Sequence, residues 1–347
     1  MQNKIDVGII GLGSMGMIRK AIAEKHPALN LVALSDAHRP NIPRTETYRY
    51  FEDYRELLDS GIDAVFVAPQ NKYRPRVVID ALNRGKHVFC EIPPGRSLSD
   101  MQDIIAAEKK NKGLVLRFGF NHRFHGAVLK AKEMIDTGAY GKILWMRGVH
   151  GKSGGKDFES IWRSNREWAG GGILLDQGIY MIDLFRFFAG NFTEVKSLVS
   201  TSFWNISLED NAFALFRNRR NQIAVVHASS THWKHAYALE ICLEDGYLIV
   251  QGYLSPTGRY GPVEKLIVVQ RQFENESCAV ENPKESVIYF DTDTSWEREI
   301  DDFADCIGNG TKGQSGTSLD ALQAMNLIDR VYRNDTVWYS RWKSTGS

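Results

Sequence analysis

Apolar and polar positions fall into alternating blocks along the first 120 residues. Apolar runs of strand length occupy 5–10, 29–34, 62–68, 87–91 and 114–120, with helix-compatible stretches between them at 17–26, 75–84 and 99–112. Pro27 stops the first helix. Pro75 sits in the first turn of the second, with Gly85 after its end, and Ser99 with Gln102 has capping-box spacing at the start of the third. Strands alternating with helices predict a mainly parallel sheet covered on both faces, in a domain spanning residues 1–120.

The pattern then changes. After a helix at 125–137, apolar runs at 143–150, 194–203, 211–216, 222–230, 238–243, 247–254 and 264–269 are separated by short polar turns such as Glu244-Asp245-Gly246. This predicts a second domain, 121–347, built on a mostly antiparallel sheet. Helices at 296–307 and 319–332 close the chain and are expected to pack back on the first domain. The glycine- and lysine-rich stretch 151–155 reads as a mobile loop.

Composition narrows the function classes. The 347 residues suit two domains, and a net charge of +1 gives no electrostatic case for nucleic acid or a membrane surface. No apolar run approaches a bilayer span, and the first strand starts too early for a signal peptide, so a cytoplasmic protein is expected. Cys90, Cys242, Cys278 and Cys306 form no C-x-x-C pair, which fits reduced thiols. His122, His125, His232 and His235 lack an acidic partner pattern, so no metal is expected. Phe203, Trp204 and Trp233 read as sheet core or a subunit interface.

Two segments carry candidate chemistry. The first strand runs into Gly11-Leu12-Gly13-Ser14-Met15-Gly16, a helix follows, and the second strand ends at Asp36, 20 residues past Gly16. Strand, glycine turn, helix, strand and acid is the order a dinucleotide site requires. Gly11 permits the turn, Gly13 leaves room for a pyrophosphate, Gly16 allows close packing, and Asp36 accepts from a ribose. A carboxylate there repels a 2′-phosphate and favours NAD over NADP, although Arg39 is placed to pair with that phosphate. In the second segment, Gly170-Gly171-Gly172 precedes an apolar stretch carrying Asp176, Tyr180 and Asp183 at spacings of four and three. On a helix these share one face. It is either the wet face of an amphipathic helix or a carboxylate and phenol aimed into a cleft.

The chain resembles the glucose–fructose oxidoreductase and inositol dehydrogenase (Gfo/Idh/MocA) family over nearly its whole length. Beside the glycine turn, Ala68-Pro69-Gln70-Asn71-Lys72-Tyr73 is similar to the family's T-P-N-x-x-H. His87 to Pro93 is similar to H-V-x-x-E-K-P, and Gly171 to Tyr180 to G-G-x-x-x-D-x-G-x-H. The resemblance implies a Rossmann NAD-binding domain plus an α+β domain with a large open sheet, and hydride transfer between nicotinamide and a sugar or nucleotide-sugar carbon. It also implies homodimers or homotetramers through the exposed sheet face. Carried over, Gly11, Gly13, Ser14 and Met15 contact the pyrophosphate, Asp36 the ribose, and Pro69, Tyr73, Glu91 and Asn121 the rest of the cofactor. Tyr180 and Asp176 are the catalytic pair, and Arg123, Arg163 and Asp176 bind substrate.

Two positions depart from the pattern. Tyr180 stands where the family has histidine, as in the branch resembling glucose–fructose oxidoreductase. Ile92 stands where the family has the lysine of E-K-P, and it offers neither charge nor donor. Without that ammonium, Tyr180 should stay near the reference value of about 10 and act as a proton donor, which favours keto-sugar reduction. Lys72, Arg123, Lys152, Lys156 and Arg163 are candidate replacement cations, each also readable as a solvated surface charge, with Arg163 preferred. The rival readings are a redox-neutral NAD-dependent lyase or glycosidase and a non-catalytic NAD-binding protein.

Overall fold

The computed structural model describes residues 4–38, 48–255, 258–310, 313 and 315–344; Arg39 lies outside them. Along the chain run β1 (Ile5–Ile10), α1 (Ser14–Ala23), β2 (Leu29–Ser35), β3 (Arg49–Phe51), α2 (Tyr54–Leu58), β4 (Ala64–Val67), α3 (Arg74–Asn83), β5 (His87–Cys90), α4 (Leu98–Lys110) and β6 (Leu116–Phe118). Then follow α5 (Gly126–Asp136), β7 (Ile143–Ser153), α6 (Arg166–Ala169), α7 (Ile179–Ala189), β8 (Phe192–Ser200), β9 (Asn211–Asn218), β10 (Ile223–Ser229) and β11 (Thr231–Leu243). The last elements are β12 (Gly246–Ser255), β13 (Gly258–Gln270), β14 (Glu285–Phe290), α8 (Ser295–Asn309), α9 (Ser318–Asn334) and α10 (Thr336–Ser344).

These elements form two units. The first comprises Met1–Phe120, Glu167–Gly170 and Trp296–Met325. Its sheet is parallel, in the order β3-β2-β1-β4-β5-β6. β4 is Ala-Val-Phe-Val, buried at every position, as a central strand covered on both faces must be. Phe66 and Phe89 meet Phe303 of α8 with ring centroids 5.8 and 5.6 Å apart, and Ile300, Ala304 and Cys306 join the same core. The strand order reverses between β1 and β4, which makes the carboxyl ends of these strands the ligand edge of the sheet. α4 starts earlier than the sequence suggests. Its capping box is Ser97 with Asp100, not Ser99 with Gln102, because the Asp100 carboxylate gathers the backbone N–H groups of both Arg96 and Ser97.

The second unit comprises Asn121–Arg166, Gly171–Ser295 and Asn326–Ser347. Its eight-stranded sheet has the order β14-β13-β12-β11-β7-β10-β9-β8. Neighbouring strands are antiparallel except β7 and β10, which run parallel. Residues 151–153 are not loop but the end of β7, with Gly151 paired to Ser229 and Ala236. β3 and β14 are additional to the predicted strands. Residues 173–188 do not form one α-helix: Leu174–Gly178 is a single π turn, and α7 follows. α7 buries Ile179, Met181, Ile182, Leu184 and Phe185. It approaches β7 closely because Gly148 has no side chain, since a Cβ there would meet Met181 at 2.4 Å. Phe203 and Trp233 are each 61% exposed, so they are not sheet core.

Candidate functional site

In the first unit the chemistry gathers at the turn after β1. Gly11 turns with φ +89°, and a Cβ there would lie 2.5 Å from the Pro69 nitrogen. A Cβ on Gly16 would lie 1.8 Å from the Gly11 carbonyl oxygen, so both positions require glycine. Gly13 has nothing within 4 Å of its Cβ position and is the N-cap of α1, and no side chain caps the helix. Ser14 is exposed and Met15 half-buried on the first turn. Asp36 Oδ2 accepts the Leu12 N–H at 2.6 Å and Oδ1 accepts the His38 N–H at 2.9 Å. These bonds anchor the carboxylate beside the turn while each oxygen keeps a lone pair. An open glycine, an uncapped helix start and an anchored acid fit the pyrophosphate and ribose of a dinucleotide.

The other sequence-predicted cofactor residues are dispersed. The Pro69 carbonyl accepts Arg74 Nε at 2.8 Å, and Tyr73, 45% exposed, stands edge-on to Trp168. Glu91 is buried and paired with Arg19 at 2.5 Å, and Arg19 also pairs with Glu299 at 2.7 Å. Ile92 is buried. Asn121 belongs to the second unit, where its Nδ2 donates to Ser295 Oγ at 3.2 Å.

In the second unit a polar group assembles on one face of β7. Strand alternation puts Gly148, His150 and Lys152 on the same side. Lys152 Nζ lies 2.7 Å from Asp176 Oδ2, Arg163 Nε lies 3.2 Å from Oδ1, and Gln177 Nε2 donates to Oδ2 at 3.0 Å. Burial favours the neutral acid, but Lys152 and Arg163 outweigh it and hold Asp176 well below the usual carboxylate range. Of the five candidate cations, then, two converge on Asp176. Lys72 pairs instead with Glu167. The Arg123 fork holds Asp183 through two bonds of 2.6 Å, with both side chains buried, so that fork is occupied within the protein rather than open to a ligand. Asp176 lies in the π turn whereas Tyr180 and Asp183 lie in α7, so the three are not carried by one regular α-helix.

Tyr180 stacks on His122 with ring centroids 4.1 Å apart and an interplanar angle of 21°. His150 lies 6.4 Å from Tyr180 and feels the charges of both Lys152 and Asp176, which ties phenol and carboxylate to one neighbourhood. Sequence reasoning passed over His150, although its two-residue spacing from Lys152 was a usable signal. It also passed over Glu209. That buried carboxylate accepts the N–H groups of Gly172 and Leu174 and the hydroxyl of Tyr332, and burial pushes it up to about 7. Gly172 packs so tightly on it that a Cβ would lie 2.1 Å from the Glu209 carbonyl oxygen.

Burial, helped by Lys152, pulls His150 down to about 3, and burial puts His122 well below its ordinary value. Both rings are therefore neutral in the folded protein at working pH. Their folded values lie below the unfolded value of about 6.5. The stability gained by keeping these rings neutral is complete above that pH and is lost as pH falls below it. In an NMR titration, the His122 and His150 ring signals are expected to stay flat from pH 8 to 5. A midpoint near 6.5 for either would contradict this.

Residues 5–120 match the oxidoreductase family with an NAD-binding Rossmann fold, and residues 128–249 match the GFO/IDH/MocA C-terminal domain. The chain belongs to the Gfo/Idh/MocA family. Levoglucosan dehydrogenase of Pseudarthrobacter phenanthrenivorans is 32% identical over 224 residues, which are 58% of this chain and 55% of that protein. The chain thus spans little more than half the length of that relative. Myo-inositol 2-dehydrogenase of Thermotoga maritima is 28% identical over 64% of this chain and 68% of that protein. Among solved structures, levoglucosan dehydrogenase in complex with NADH and levoglucosan has a TM-score of 0.83 at 21% identity, covering 96% of this chain and 97% of that one. The WlbA dehydrogenase from Bordetella pertussis in complex with NADH and UDP-GlcNAcA has a TM-score of 0.77 at 20% identity, covering 96% and 97%. At such identities these superpositions establish the shared Gfo/Idh/MocA fold of one parallel and one mostly antiparallel sheet. Among the described residues, no helix is long and apolar enough to cross a membrane.

Proposed function

We propose that this Gfo/Idh/MocA member is an NAD(H)-dependent oxidoreductase acting at a carbinol or ketone carbon of a sugar, cyclitol or nucleotide sugar. The observation that carries the reading is the Asp176 carboxylate, kept ionised between Lys152 and Arg163 and grouped with His150 and Tyr180. A fixed anion among cations suits the hydroxyl array of a polyol, each hydroxyl being both donor and acceptor. Bound NAD supplies the hydride acceptor in oxidation and the hydride donor in reduction. Backbone N–H groups from Gly13 to Met15 hold its pyrophosphate, Asp36 its ribose, and Pro69 and Tyr73 line the nicotinamide half.

Asp176 orients substrate hydroxyls, and Tyr180 gives or takes the proton at the reacting oxygen. The expected bias toward keto-sugar reduction assumed a site lacking an ammonium. Two cations on Asp176 supply that charge, so the reading covers both directions. On the sheet face turned away from α7, Leu198, Phe213 and Leu215 are 73%, 46% and 49% exposed, and we assign this surface to a homo-oligomer contact.

The test is a panel of levoglucosan, inositols and UDP-sugars with NAD+ and NADP+, run on protein whose particle size is measured first. NAD-linked turnover of at least one polyol is expected, from particles larger than one 39.3 kDa chain. Tyr180→Phe should cost about 10²-fold in kcat. NADH binding without turnover on any member, or an unchanged Tyr180→Phe, would sink the reading.

A further inference from the structure

The sheet is rebuilt around Lys152. Thr231 of β11 pairs with Ser153 and Ala236 with Gly151, so residues 232–235 stand opposite Lys152 alone. Bulges of this kind re-aim a side chain and concentrate beside active sites. The extra residues clasp β7 on both sides of the lysine. The His232 ring packs on Gly151, where a Cβ would meet it at 2.6 Å, and His235 Nε2 lies 3.0 Å from Ser153 Oγ. These contacts hold the β7 backbone on either side of the lysine, and on the opposite face the Lys152 side chain is 17% exposed with its ammonium 2.7 Å from Asp176.

A solvated surface lysine keeps its rotamer freedom, and ordering one costs conformational entropy. A lysine held this way is a placed charge. An ammonium has three donors, and Asp176 takes one, which leaves donors for a ligand oxygen.

Resting on the oxidoreductase reading above, we propose that Lys152 binds the reacting oxygen of the substrate. Its ammonium donates to the carbinol or keto oxygen and stabilises the negative charge that develops there as hydride moves. It also favours ionisation of Tyr180 when an alcohol is the substrate. Lys152 itself neither gains nor loses a proton, so the balance of the reaction is unchanged. The cation thus comes from β7 of the second unit rather than from position 92, where the chain has isoleucine.

The test compares wild type with Lys152→Met and Lys152→Arg, using Lys130→Met, on the exposed side of α5, as control. Lys152→Met should lose about 10²-fold in kcat/KM. Its alkaline activity limb should move up by about one pH unit, and Lys152→Arg should recover part of both. NADH affinity should be unchanged. Calorimetry with myo-inositol and levoglucosan should show at least tenfold weaker binding to Lys152→Met, a readout independent of turnover. If Lys152→Met keeps its kcat/KM within threefold and its pH profile unmoved, the proposal is overturned. If wild type turns over nothing on the panel, the oxidoreductase reading fails instead. The calorimetric arm then still decides Lys152, and equal or absent polyol binding in both proteins overturns its role.

Discussion

Replacing Asp176 with asparagine is expected to lower kcat/KM for the polyol or keto sugar by about 10³-fold while NADH affinity stays within about twofold. The substitution keeps the shape and removes the charge. Asp176 now accepts from Lys152, Arg163 and Gln177 at 2.7, 3.2 and 3.0 Å. Asparagine has one acceptor oxygen and presents an NH₂ group where an acceptor is needed. Two cations then face each other with no anion between them, and the position of Lys152 is lost together with the hydroxyl-binding carboxylate. His150 does not rescue the site. Asp176 raises its affinity for protons, so losing that charge pushes an already neutral imidazole further down. The deficit should therefore persist at both pH 6 and pH 9. Steady-state kinetics with NADH titrated by fluorescence checks this. A loss smaller than tenfold, or one that vanishes at either pH, would remove Asp176 from the chemistry.

The parts of the molecule legible in the sequence are those whose logic is local. Gly11, Gly16 and Asp36 follow from backbone sterics and from the short span between two adjacent parallel strands, and both are written in the spacing. Lys152 is of another kind. Its partner is 24 residues away, and the bulge that faces it across the sheet lies in β11, some 80 residues further on. Nothing near position 152 marks it, and its glycine neighbours suggest a loop, whereas Gly151 is small because the His232 ring rests against it.

Arg123 and Glu209 make the same point from opposite sides. Arg123 lies at the ligand edge suggested by the fifth strand, but α7 brings Asp183 within 2.6 Å of it, and an arginine so matched is occupied. Glu209 sits in no motif, yet it holds the Gly172 turn through two accepted backbone hydrogen bonds and ties it to Tyr332 through a third. The π turn at Leu174–Gly178 is invisible to any rule that assumes 3.6 residues per turn, which is why Asp176 and Asp183 do not lie on the one regular α-helix expected.

Arg19→Met should destabilise the protein by about 3–5 kcal/mol, read as a lower urea midpoint. Arg19 is fully buried in α1 of the first unit, with Glu91 at 2.5 Å, Glu299 at 2.7 Å, and the rings of Phe89 and Trp296 at 4.4 and 4.8 Å. Methionine keeps much of the apolar stem and its ring contacts, so packing accounts for little of the loss. What remains is a pair of buried carboxylates with no cation. Burial already pushes Glu299 up to about 8 with the arginine present, and losing that cation pushes it further up. Folded Glu299 then holds a proton that its unfolded counterpart, near 4.3, does not carry at pH 7. Folding then binds protons, and the stability of Arg19→Met should fall as pH rises from 5 to 8, more steeply than in wild type. Adding Glu299→Gln to Arg19→Met removes that proton and should restore part of the midpoint at pH 8. An unchanged midpoint, or a double variant no better than the single one at that pH, would show that the arginine's charge is not what the two acids require.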